Sequence, residues 1–120
     1  MSIITNLLTI QNQIRVFHFQ TSKYNHHIAS GVLYNDLDKL IDNYIEEFSG
    51  KYSPIFNTGG FNISLKNVTE FDINEFIKLS IEYLNTELTA DLNASDANLM
   101  NIRDEMVGII RKFQYLISFE

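Results

Sequence analysis

The chain has no cysteine, one proline and five glycines in 120 residues. Without thiols there is no disulfide framework, no zinc ribbon and no thiol nucleophile. A basic tail is also missing. The formal net charge is −6 and the sequence pI is near 4.9, a balance that repels a phosphate backbone, so nucleic acid is disfavoured as a partner. No apolar run approaches the ~18 residues that span a bilayer. The start, MSIITNLLTIQNQIR, lacks the basic opening and small-residue cleavage site of a secretory signal. A soluble, cytoplasmic protein without a membrane partner is expected. The Gly59-Gly60 pair has no Lys-Ser/Thr after it, which excludes a phosphate loop, and there is no nucleophile elbow. No Glu stands three residues before any His, which excludes the Glu-x-x-His pairs of a di-iron site built inside one bundle.

What is present suffices for one domain over residues 1–120. Hydrophobic residues make up 45% and aromatics 12%, enough to bury a core that oligomerisation would strengthen. Four amphipathic helical patterns follow one another. Ile3, Leu7, Ile10, Ile14 and Phe17 share one face of a segment from Ile3 to Gln20. A second stripe, from Val32 to Phe48, belongs to a segment from Asn25 to Ser49, with Gly50 placed as a C-cap glycine. A third segment, Ile73 to Leu88, starts at a capping-box spacing, Asp72 and Glu75, and has the small Ser80 within its apolar face. The fourth, Asp96 to Ser118, has Ser95 as its expected N-cap. Between the second and third segments, KYSPIFNTGGFNISLKNVTE holds Pro54 and the glycine pair. Its Phe61–Leu65 stretch alternates as a strand or an extended lid would. The expected fold is all-α: a four-helix bundle with one long connection, between helices two and three.

All three histidines lie in FHFQTSKYNHH. His18 closes the first helical segment, and His26 and His27 open the second. Two readings stand: exposed residues of a polar turn, or the nitrogen half of a metal site. Asp38, Asp42 and Glu46 recur every four residues on the second segment, either as a solvated row or as oxygen ligands. His27 and Asp42 are fifteen residues apart, about 22 Å on one helix. They meet at one ion only if a second copy, packed antiparallel across a two-fold axis, brings the carboxylates. Asp104-Glu105, beside Arg103, reads as a solvated surface with a local ion pair.

These residues resemble the starvation-type mini-ferritins (Dps). There, a His late in helix one and a His early in helix two face a D-x-x-x-E pair from the partner subunit. His18 and His27 match the two nitrogens; Asp42 and Glu46, in DNYIE, match the pair. The helix from Asp96, with Lys112 and Tyr115, is similar as well. FHxQT, LIDxxIE, GKY and NIRDEM segments also resemble small Dps-like proteins of phages and large DNA viruses, which would place the chain in a host cytoplasm or a virion. The resemblance implies a ferritin-like four-helix bundle, a homo-dimer building a larger shell, and a divalent metal, iron above all with zinc compatible. It also implies Fe(II) oxidation and storage. The chain departs from the pattern in several places. Gly31 stands where the family has a carboxylate, Phe19 replaces a Trp, and the His18–His27 spacing is about three residues shorter. The Pro54–Leu65 segment replaces a helix. These departures support the alternative, a ferritin-like scaffold or interaction protein without ferroxidase activity. Gly31, inside a helix at a cost of about 1 kcal/mol, suggests close approach of another backbone at a dimer seam.

Overall fold

The computed structural model describes residues 2–119. It is all-helical: α1 spans Ile3–Gln20, α2 Tyr24–Lys51, α3 Ile73–Asn85 and α4 Ala97–Ile117, with short 3₁₀ turns at Val68–Glu70 and Ala94–Asp96. The Ser2 hydroxyl accepts from the Thr5 N–H and caps α1. Asp72 caps α3 by accepting from Asn74 N.

Local chemistry moves three expected boundaries. α2 continues through Gly50, so this glycine is not a C-cap. Lys51, whose ammonium reaches Asp96 at 2.5 Å, holds the last turn in the helix, and Tyr52 N still donates to Phe48 O. α3 stops at Asn85. The Thr86 hydroxyl donates to Glu82 O at 2.7 Å and competes with continued helix, and the following turns carry Leu88 into the core. α4 is preceded by a reciprocal box in which Asn93 and Asp96 cap each other's backbone. Ser95 is not the N-cap of α4: Asp96 holds that position without a side-chain cap bond, Asn93 caps the 3₁₀ turn before it, and the Ser95 hydroxyl itself donates to Asn93. Phe61–Leu65 pairs with nothing and is no strand; among the described residues there is none.

Short links make α1–α2 and α3–α4 antiparallel pairs. α2 also runs antiparallel to α4. Lys51 meets Asp96 at one end, while at the other Asn25 Nδ2 donates to Leu116 O (2.9 Å) and Phe119 O (2.6 Å). α2 and α3 therefore point the same way, and the segment between them must travel the length of the molecule. It leaves beside Asp96 and arrives beside the end of α1. There Gln13 pairs through both amide atoms with the backbone of Lys66 (2.8 Å each), and Gln20 accepts from Val68 N. The core lies between the helices, around Leu7, Ile14, Leu37, Ile41, Leu84 and Met106. Tyr44 is fully enclosed there and donates to Leu88 O; burial, then the neighbouring Tyr83, push its pKa up to about 12. No helix among the described residues is long and apolar enough to cross a membrane.

Candidate functional site

The three-residue link after α1 turns the chain so that His18 and His27 face each other across the α1–α2 seam. Their rings stack, with centroids 4.0 Å apart and planes 16° from parallel. Each ring bonds the other residue's main chain. His18 Nδ1 is 2.7 Å from His27 O, and His27 Nδ1 is 2.9 Å from His18 O. A carbonyl only accepts, so both Nδ1 atoms carry a proton, and in the tautomer this selects, Nε2 is the bare acceptor. Neither Nε2 has a partner among the described residues, and neither is sealed from solvent. The Ser30 hydroxyl donates to His26 O and supports His18 Nδ1 at 3.1 Å.

Gly31 is explained by this pair. A Cβ built there would stand 3.0 Å from His18 Cε1 and 3.4 Å from Nδ1. What approaches Gly31 is an imidazole of the same chain, so the expected neighbouring backbone is replaced by a ring. That ring fills the space a side chain at 31 would need. Further along the seam, Tyr34 packs edge-on to His18, and the Arg15 guanidinium lies 4.5 Å from the Tyr34 ring centroid. Arg15 also pairs with Asp38, which accepts from Gln11 as well, so Asp38 is committed within its own chain.

Asp42 and Glu46 lie on the exposed side of α2 and have no hydrogen bond or ion pair among the described residues. α2 is continuous from Tyr24 to Lys51, so Asp42 is about 22 Å along the helix from His27. The structure brings His18 and His27 together, and leaves Asp42 and Glu46 apart from them. Among the described residues no three metal-ligating side chains cluster. Imidazole lone pairs lie in the ring plane. Two nearly parallel planes this far apart do not converge on one ion at the ~2.0–2.1 Å that nitrogen ligation needs, so joint ligation requires one ring to turn.

None of the histidines is the free turn residue that one reading expected. His26, which is outside the expected ligand set, is the most enclosed of the three at 9% exposure. It stacks on Phe17, and its Nε2–H donates to Ile117 O at 3.1 Å, tying the start of α2 to the end of α4. Sequence reasoning also missed a buried carboxylate and its donors at the opposite end. Asp96 is 2% exposed and accepts from Lys51, from Tyr52 Oη (2.8 and 2.6 Å) and from Asn93 N. Lys51, then Tyr52 and the Asn93 N–H hold its carboxyl down at about 2. The Asn93-x-x-Asp96 spacing was its visible signal. Asp104 and Glu105 are exposed, and Asp104 pairs with Arg103 at 2.7 Å. No curated protein and no solved structure matches the chain. Residues 18–117, from the first clasp histidine to the carbonyl that holds His26, match the family of unknown function DUF5856, and the chain belongs to that family.

Proposed function

We propose that this is a ferritin-like, Dps-like protein that assembles through two-fold dimers and takes up a divalent metal, iron foremost, at sites shared between subunits. His18 and His27 supply Nε2 from one copy, one of the two rings turning out of the stack to converge on the ion; Asp42 and Glu46 supply oxygen from its mate. The observation that carries this reading is the placement of protons. Main-chain carbonyls that fix Nδ1–H and leave Nε2 bare are the usual outer-shell arrangement of ligating histidines. The helix order supports the scaffold half of the proposal. Antiparallel neighbours α1–α2, α2–α4 and α4–α3 with a lengthwise crossover are what a ferritin-like bundle would require. Zinc suits the same nitrogen and oxygen donors. Fe(II) would be substrate and cargo, oxidised to Fe(III) with dioxygen or peroxide from solution taking the electrons, and stored in a shell.

A second reading has its own observation. The parallel stack and the His18 ring over Gly31 make a clasp between α1 and α2, and the ring occupies the place where the mini-ferritins carry a further carboxylate. On that reading the scaffold persists without ferroxidase activity.

The test is a titration of the purified chain with Fe(II), anaerobically, and with Zn(II), read by calorimetry alongside native mass. His18→Ala and Asp42→Ala should each lose the bound ion while keeping the helical circular dichroism. An equal mixture of the two variants should regain about a quarter of the sites, because half of the dimers are mixed and each mixed dimer has one intact site. In the mixed dimer one site carries both lesions and the other carries neither. Stoichiometric metal retained by both single variants sinks the metal assignment. A dimer that takes up no metal leaves the scaffold reading.

A further inference from the structure

Leu79 is 55% exposed, although it lines the gap between α1 and α3. Those two helices are neighbours in the bundle, yet they do not close on each other as α1–α2, α2–α4 and α3–α4 do. Between them lie cavities of about 380, 310 and 170 Å³. The first two share Thr9, Phe76 and Leu79, and the last two share Asn6, Tyr83 and Glu87, so they form one groove. Its α1 wall runs from Ile3 to Gln13, about 15 Å, or three helical turns.

The walls differ sharply in chemistry from the rim. Ile10, Phe71, Phe76 and Leu79 give an apolar lining. The rim is acidic: Glu70, Asp72, Glu75, Glu87 and Asp91 stand along it against the single ammonium of Lys66. Glu70 and Asp72 each give one oxygen to a backbone N–H, of Asn67 and Asn74. Glu75, Glu87 and Asp91 have no hydrogen bond or ion pair among the described residues.

We propose that this groove receives an amphipathic, basic helix of another protein. The length suits about three turns, whose apolar residues at i, i+3, i+4 and i+7 would meet Ile10, Phe76 and Leu79. Lys and Arg on its flanks would meet the unpaired carboxylates. A second copy is a poor occupant. Across a two-fold axis at this groove, it would set its own acidic rim, Glu75 and Glu87 included, against this one. The groove lies mainly on α1 and α3; its lining takes Phe48 from α2 but neither Asp42 nor Glu46, so it stands whether or not the metal proposal does.

The test uses the full chain and a labelled Leu/Lys peptide of about fourteen residues with that apolar spacing, followed by fluorescence anisotropy. The counterpart has every Lys replaced by Glu. The Lys peptide should bind, weaken as salt rises, and outcompete its Glu counterpart. Leu79→Ser removes a side chain already half in solvent, and should weaken binding about fivefold or more. Glu75→Gln with Glu87→Gln should weaken binding and flatten the salt dependence. Asp104→Asn with Glu105→Gln, on α4 outside the groove, should change neither. Absence of binding overturns the proposal. So does binding that ignores Leu79→Ser and follows the α4 pair, which would mark attraction to net charge alone. A native mass that falls from dimer to monomer on Leu79→Ser would assign the groove to a second copy, and overturns it equally.

Discussion

Gly31→Ala tests the clasp at its tightest point, because two effects of similar size oppose each other there. In mid-helix, alanine in place of glycine stabilises by about 1 kcal/mol. At position 31 the new Cβ would stand 3.0 Å from His18 Cε1, where carbon pairs prefer about 3.5–4.0 Å. The ring must give way, and it is not a free end. His18 Nδ1 is held at 2.7 Å by His27 O and at 3.1 Å by Ser30 Oγ, and the ring stacks on His27. Straining one such bond forfeits up to about 1 kcal/mol. The two effects cancel, so Gly31→Ala alone should leave stability nearly unchanged. In a His18→Ala background the obstacle is gone and the same substitution should stabilise by about 1 kcal/mol. Urea unfolding of the four proteins gives the cycle, with an expected coupling of about 1 kcal/mol. Equal stabilisation in both backgrounds would show that the ring does not press on Gly31, and the account of that glycine would fail.

Three further outcomes are expected. Asp96 has its pKa lowered from 3.8 to about 2 by Lys51, Tyr52 and Asn93, so its contribution is complete above pH 3.8 and disappears as pH falls through 2. The stabilities of wild type and Asp96→Asn should therefore converge between pH 4 and 2, in urea melts at stepped pH; a constant gap would contradict the ion-pair account. Gln13→Ala removes both bonds to the Lys66 backbone, at about 1 kcal/mol each, and hydrogen exchange should quicken at Lys66 with the α2–α4 amides unchanged. Met106→Ala empties a fully buried position between helices and should cost about 2–5 kcal/mol by chemical denaturation.

The helices were legible because their signal is local. The stripe from Ile3 to Phe17 and the one from Leu99 to Phe113 are periodic within their own segments, and burial follows that period. The long connection was legible by default, since Pro54 and Gly59-Gly60 break any such pattern. What escaped was decided by partners distant in sequence. Gly50 looks like a helix terminator until Lys51 finds Asp96, 45 residues on. Phe61–Leu65 alternates like a strand, but among the described residues there is no second strand for it to pair with. The histidines show the limit most clearly. Adjacent residues on a helix point about 100° apart, so His26 and His27 had to face different neighbours, yet nothing local says which faces inward. Phe17 and the end of α4 lie on one side, and His18 on the other, so His26 enters the core and His27 joins the clasp. Gly31 could be read as a close approach, but not as an approach by His18, thirteen residues earlier, because that depends on the turn between the helices. The same turn directs both Nε2 atoms away from the main chain. The imidazole half of the candidate site is thus a product of the hairpin, and the carboxylate half depends on whether a second copy of α2 docks beside it.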